Sequence, residues 1–105
     1  MKSDIPEFVK VISENDYEIF EQLFTKKYKK FRKLYWIVKD YSKYIVSLKY
    51  KNTEDDTLKI SMTLAKVDVE QVLEKLQKKV HNSKNVKIWN EKKVIHIKIN
   101  NDDED

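Results

Sequence analysis

The sequence predicts a two-layer α+β domain in which two helices cover one face of an antiparallel sheet. Two helical patterns, at 15–33 and 68–80, are separated and followed by segments in which apolar and polar residues alternate. Alternation with a period of two is typical of strands with one buried face, and short connections favour antiparallel pairing of neighbours. The predicted order of elements is therefore α-β-β-β-α-β-β.

The first helical pattern carries a narrow aromatic stripe. At about 100° per residue, one face collects five rings, those of Tyr17, Phe20, Phe24, Tyr28 and Phe31. Asn15 is a good N-cap, and Glu18 three residues later completes a capping-box pattern. Acidic residues lie in the first turns and basic residues in the last, as the helix dipole favours. We predict one helix over 15–33, with its rings packed on the sheet and its lysines in solvent.

Alternating segments at 34–39, 44–51 and 58–64 predict three strands after this helix. A second amphipathic helix follows over 68–80, with Asp68 as its N-cap. A last hairpin then joins two strands, one starting at Val86 and one over 94–99, across a turn at Asn90-Glu91.

The two ends of the chain are predicted less directly. The first dozen residues fit either a short helix opened by Asp4 and Pro6 or a β segment, and we favour the helix. We expect residues 1–99 to form a single domain and the acidic residues 100–105 to be a disordered tail.

The composition excludes several kinds of chemistry. The 105 residues include no cysteine and no glycine, which rules out disulfides, thiolate nucleophiles and glycine-rich phosphate loops. Positive-φ turns then fall to asparagine or aspartate, and the asparagines between periodic segments fit that role: Asn52, Asn82, Asn85 and Asn90.

No pattern indicates catalysis or a membrane. His81 and His96 are the two histidines, and their spacing matches no metal site. We therefore expect no enzyme, no metal and no cofactor. The first residues carry acids and a proline where a signal peptide needs an apolar core, and no apolar run approaches the roughly 18 residues of a membrane span. A cytoplasmic protein without a membrane partner is expected.

A basic cluster ends the first predicted helix. The net charge is +4, and the last six residues include four acids, so the rest of the chain is more positive still. The residues of this cluster that we single out are Lys26, Lys29, Lys30, Arg32 and Lys33. They are candidates for electrostatic contact with an acidic protein or a nucleoprotein, with Tyr35 and Trp89 as apolar anchors. The alternative is a solvated helix end whose lysines contact only water.

The outer face of the predicted sheet is the second candidate. The residues expected to project from it are Tyr35, Ile37, Lys49, Lys59, Lys87, Trp89, His96 and Lys98. Aromatic rings among lysines on an exposed sheet are typical of surfaces that bind single-stranded nucleic acid. The same rings could dock a protein partner or a second copy of the chain, or the face could simply be solvated. The sequence leaves these alternatives open.

Residues 34–89 also resemble a phage-encoded anti-CRISPR family that blocks type II CRISPR effector nucleases. The matching stretches are YW at 35–36, KDYSKY at 39–44, DTLKI at 56–60 and AKVDVEQVLEKL at 65–76. The resemblance implies a non-enzymatic inhibitor, encoded by a phage or mobile element, that acts on a host nucleoprotein such as a CRISPR nuclease.

Overall fold

A computed structural model describes residues 8–53 and 55–100 and shows three helices and a five-stranded antiparallel sheet. The elements in chain order are β1 (Val9–Lys10), α1 (Glu14–Lys26), α2 (Arg32–Asp40), β2 (Ile45–Asn52), β3 (Thr57–Leu64), α3 (Val69–Lys79), β4 (Val86–Glu91) and β5 (Val94–Asn100). Short 3₁₀ turns at Lys29–Phe31 and Ser42–Tyr44 precede and follow α2. The predicted α+β class is confirmed.

Inward-facing side chains of the sheet and side chains of the three helices form a single core. The strand order is β1-β2-β3-β5-β4, and every neighbouring pair is antiparallel. Inward sheet residues include Leu48, Leu58, Ile60, Met62, Ile95, Ile97 and Ile99, and the helices add Phe20, Phe24, Leu34, Tyr35, Val38, Val72 and Leu76 to the same cluster. Each large apolar side chain buried in this way contributes about 1.5–3 kcal/mol. That both predicted helices cover one face of the sheet stays a prediction.

The predicted strand at 34–39 is wrong, because these residues belong to helix α2. Phe31, Leu34, Tyr35 and Val38 are buried, and their spacing of i, i+3, i+4 and i+7 is that of one helix face. The run from Leu34 to Val38 is apolar throughout, so it satisfies a strand period and a helix period equally. The strand that pairs with the free edge of β2 is instead β1, which replaces the predicted helix at Val9–Lys10. Residues 1–7 lie outside the described residues.

The long first helix is two helices, and its cap lies earlier than predicted. Helix α1 ends at Lys26, and Tyr28, with φ −112° and ψ 46°, turns the chain before α2. The N-cap is Ser13 rather than Asn15. The Ser13 hydroxyl accepts a hydrogen bond from the Asp16 amide at 3.1 Å, and an Asp16 carboxylate oxygen accepts one from the Ser13 amide at 3.0 Å. Four of the five predicted rings, those of Phe20, Phe24, Tyr28 and Phe31, are nevertheless buried, and Tyr17 is partly buried against the same core.

Helix α3 has the predicted cap, whereas the turns differ from expectation. Asp68 accepts a hydrogen bond from the Glu70 amide at 3.1 Å. The positive-φ residues in the described parts of the chain are Asp56, Lys66, Lys92 and Lys93, so the four asparagines do not have this role. Asn90 and Glu91 lie within β4, and the β4–β5 turn is Lys92-Lys93, with positive φ at both residues as a type I′ turn requires.

The predicted tail boundary also moves by one residue. Asn100 belongs to β5, where its amide donates a hydrogen bond to the Asn85 carbonyl at 2.8 Å. Its side-chain oxygen accepts a second bond from the Thr57 hydroxyl at 2.9 Å. Residues 101–105 lie outside the described residues.

Candidate nucleic-acid interface

Four lysines lie in one row across the outer face of the sheet. In the strand register Lys51 is opposite Lys59, Lys59 is opposite Lys98, and Lys98 is opposite Lys87. Directly opposed residues of antiparallel strands share a face, and three steps of about 4.8 Å make the row about 14 Å long. Because the residues on either side of Lys59, Lys87 and Lys98 are buried in the core, their ammonium groups point away from it. We call these four residues the lysine row.

A parallel row of residues brings an aromatic ring beside these charges. Lys49 is opposite Ser61, Ser61 is opposite His96, and His96 is opposite Trp89. The rings of Trp89 and His96 stack with their centroids 5.3 Å apart and their planes at 23°, and Ser61 Oγ lies 3.3 Å from His96 Nδ1. Trp89 keeps 40% of its surface exposed, so part of its indole is accessible to a ligand.

A second ring lies at the opposite end of the same face. Phe8 precedes β1 and is 36% exposed. The Nζ atoms of Lys49 and Lys51 lie 5.1 Å and 4.9 Å from the centroid of its ring, within the range of cation–π contacts. The lysine row therefore has an accessible aromatic side chain near each of its ends.

The charges of the lysine row are not neutralised by ion pairs within residues 8–53 and 55–100. The ion pairs of those residues join Lys27 to Asp56 at 2.6 Å and Lys39 to Glu14 at 3.6 Å, and His96 Nε2 lies 3.9 Å from a Glu91 carboxylate oxygen. Like charges directly opposite each other in a sheet repel and destabilise the pairing. A bound polyanion would relieve this repulsion.

An acidic residue marks one margin of the face. Asp55 lies in the β2–β3 loop, in a hollow of about 220 Å³ that Lys59 and Lys98 also line. The hydrogen bond from the Thr53 hydroxyl is the main cause that lowers the Asp55 pKa; the Thr57 hydroxyl and the charge of Lys59 lower it further. Asp55 is therefore ionised at neutral pH, and its charge makes this end of the face less favourable to an anion.

Most of the predicted sheet-face residues are brought together here. Lys49, Lys59, Lys87, Trp89, His96 and Lys98 all lie on the outer face. The predicted set of outer-face residues did not include Lys51 and Phe8. Lys51 follows Lys49 at the strand period of two, so that period could have identified it. Phe8 could not be assigned to the sheet face from the sequence, because the first dozen residues fit a short helix as well as a β segment.

Tyr35 and Ile37 are corrections, because both lie in α2 and not on the sheet. Tyr35 is 2% exposed, and its ring centroid lies 5.8 Å from that of Phe20 and 5.9 Å from that of Phe24. It is a core residue, so the prediction that it anchors a partner is wrong. Ile37 is half-buried on α2.

The predicted basic cluster forms a separate exposed surface at the junction of α1 and α2. Its members, Lys26, Lys29, Lys30, Arg32 and Lys33, are all exposed, and we call them the basic corner. Tyr28 and Phe31 lie buried beneath them. Trp89 lies on the outer sheet face, so the structure does not bring it together with the basic corner.

The described residues offer no metal cluster and no membrane span. Among them, no three His, Asp or Glu side chains lie close enough together to hold a metal ion. His81 is bound to its own helix end, with Nδ1 3.0 Å from the Lys78 carbonyl oxygen. No helix within the described residues has the length and apolar character needed to cross a bilayer.

This chain matches no protein-family model, and it matches no curated protein and no solved structure. Inhibition of a CRISPR nuclease therefore stays an expectation from the resemblance.

Proposed function

We propose that this chain is a non-enzymatic binding protein that holds a single-stranded nucleic acid across the outer face of its sheet. The observation that carries the proposal is the lysine row, with four cations in register and an accessible ring near each end. Lysines attract the phosphate backbone, and exposed rings stack on bases, which is how sheet surfaces bind single strands.

Single strands fit this face better than duplexes. The bases of a duplex are stacked on each other, whereas those of a single strand are free to stack on Trp89 or Phe8. The cations of the row are lysines, which act as point charges and lack the planar fork with which arginine reads guanine. Binding with little base preference and a strong dependence on salt follows from this composition.

The test is binding of a fluorescent oligothymidylate of about 16 nucleotides, followed by anisotropy over a series of salt concentrations. If the four lysines each neutralise a phosphate, the plot of log K against log salt has a slope of about −2.8, at about −0.7 per contact. The Lys59→Gln/Lys98→Gln variant should halve that slope to about −1.4.

A matched variant with the same loss of charge locates the site. Lys26→Gln/Lys29→Gln removes two cations from the basic corner and should leave the slope nearly unchanged. If this pair lowers the slope and the lysine-row pair does not, the strand binds at the helices and the proposal is wrong. Absence of binding at low salt also refutes it.

The basic corner supports a second candidate function, inhibition of a host nucleoprotein such as a type II CRISPR nuclease. Its five exposed cations form no ion pair within the described residues, so they are available to an acidic or nucleic-acid-bearing surface. The test is target cleavage by a purified type II effector nuclease with its guide RNA, with and without this protein. The triple variant Lys26→Glu/Lys29→Glu/Lys30→Glu should abolish inhibition. This candidate is excluded if the variant inhibits as well as the wild type, or if the wild type does not inhibit at all.

A further inference from the structure

A groove lies between α2 and α3, apart from the outer sheet face. It encloses about 870 Å³, and its apolar side chains come from Trp36, Ile37 and Tyr41. Trp36 is 48% exposed although its neighbours Tyr35 and Leu34 are buried in the core. A large ring exposed in a concave surface is typical of a site that binds an apolar side chain of a partner.

The groove is strongly positive. Four lysines line it, Lys33 from α2 and Lys75, Lys78 and Lys79 from α3, against one acidic residue, Asp40. Lys78 and Lys79 lie in the last turn of α3 and Lys33 in the first turn of α2. Charge complementarity therefore favours an acidic occupant.

The rings of the groove are held by contacts with other side chains of the domain. Trp36 packs edge-to-face on Tyr35, with centroids 5.2 Å apart and planes at 69°. One face of Tyr41 is covered by Lys75, whose Nζ lies 5.4 Å from the ring centroid, and Tyr41 also packs on Tyr44 at 6.2 Å. Trp36 nevertheless remains 48% exposed, so it is the ring of the groove that a partner side chain can reach most directly.

We propose that this groove binds an acidic amphipathic helix of a protein partner, with one apolar stripe against Trp36 and Ile37 and carboxylates facing the lysines of α3. Helices α2 and α3 have 9 and 11 residues, which makes them about 13 Å and 16 Å long, so a partner segment of about three turns spans the groove. This is the helix-in-groove mode, in which a helix lays its apolar face between two others. The site is independent of the lysine row.

The test uses Trp36 as the reporter. The chain has two tryptophans, so Trp89→Phe leaves Trp36 as the single tryptophan, which can be excited selectively over the tyrosines. The probe is a synthetic peptide of about 14 residues with leucines at i, i+3, i+4 and i+7 and glutamates on the other face. A peptide of the same composition with its leucines permuted out of one stripe is the matched control.

We expect the striped peptide to shift the Trp36 emission to shorter wavelength and to bind at least about tenfold more tightly than the permuted peptide.

Lys78→Gln/Lys79→Gln should weaken binding of the striped peptide about fivefold to tenfold, as expected for two exposed ion pairs. Lys59→Gln/Lys98→Gln should not change it. Equal binding of the two peptides, no emission change with either, or a larger change with oligothymidylate than with the striped peptide overturns the proposal. Circular dichroism of each variant verifies that the fold is kept.

Discussion

Lys59 lies directly opposite Lys98 in the ladder between β3 and β5, two interior strands of the sheet. Each of them also faces a further lysine, Lys51 and Lys87 respectively. Threonine at these positions would have a high β-strand propensity and would avoid the repulsion between like charges. The repeated choice of a cation, despite the expected repulsion, is the observation that supports the proposed anionic ligand.

Replacing Lys59 with threonine should stabilise the fold and weaken nucleic-acid binding. Removal of the repulsion raises the free energy of unfolding by about 0.2–1 kcal/mol, and the melting temperature by a few degrees. Thermal unfolding at low and high salt measures this, and the gain should shrink as salt screens the charges. Lys84→Thr, at an exposed loop position, is the control and should change stability by less than about 0.5 kcal/mol. A lower melting temperature for Lys59→Thr at low salt would contradict the account.

The two tryptophans should differ in their effect on oligothymidylate binding. Both are roughly half exposed, but only Trp89 lies beside the lysine row. Trp89→Leu removes a stacking ring and should weaken binding by about 1–3 kcal/mol, whereas Trp36→Leu should leave it unchanged. Titration of the labelled strand with each variant at one salt concentration decides this, and an equal loss in both variants would count against a site on the sheet.

Buried tyrosines should make the fold sensitive to alkali. The Tyr28 hydroxyl donates a hydrogen bond to Asn52 at 2.7 Å, and burial, together with the charges of Asp56 and Asp55, raises its pKa to about 12. Burial, with a contribution from Glu21, also raises the pKa of Tyr35 to about 12. The unfolded chain ionises these groups near 10.0, so it loses protons first as pH rises. Stability should therefore fall between about pH 10 and pH 12.

Tyr28→Phe separates the hydrogen bond from the ionisation. At neutral pH the variant should lose about 1 kcal/mol, because Asn52 loses its donor. Above pH 10 its stability should fall less steeply than that of the wild type, because one of the shifted groups is gone. Denaturant unfolding at a series of pH values measures both effects. Identical pH profiles of stability for the variant and the wild type would show that Tyr28 does not contribute to the loss of stability at high pH.

The N-cap of α1 can be tested with two neighbouring alanine substitutions. Ser13→Ala removes the hydroxyl that accepts from the Asp16 amide and should cost about 0.5–2 kcal/mol. Asn15→Ala, at the residue that the sequence pattern favours as cap, should cost less, because alanine is the better helix former inside α1. Urea unfolding of both variants gives the comparison, and the reverse order would restore Asn15 as the cap.

The strands were predictable where only one period fits the sequence. In β2 and β3 polar residues interrupt the apolar ones at every second position, so the predicted 44–51 and 58–64 lie within one residue of the observed strands. The run 34–38 has no polar residue to set a period, and its helix depends on packing against α1 and α3. Local sequence holds no information about those contacts.

Part of the outer face was predictable, but the lysine row was not. Strand alternation places Lys59 and Lys98 on one side of the sheet. Their opposition depends on β5 pairing with β3 while β4 takes the edge, a non-local arrangement that joins segments about forty residues apart. The β2–β3 hairpin then sets Lys51 opposite Lys59 through its loop length.

An NMR titration of the ¹⁵N-labelled full chain with unlabelled oligothymidylate tests directly whether the strand binds across the lysine row. We predict the largest amide shifts at Lys51, Lys59, Lys98 and Lys87 and at the indole N–H of Trp89, with small changes throughout α1, α2 and α3. Shifts concentrated at the junction of α1 and α2, or no shifts at low salt, would contradict this prediction.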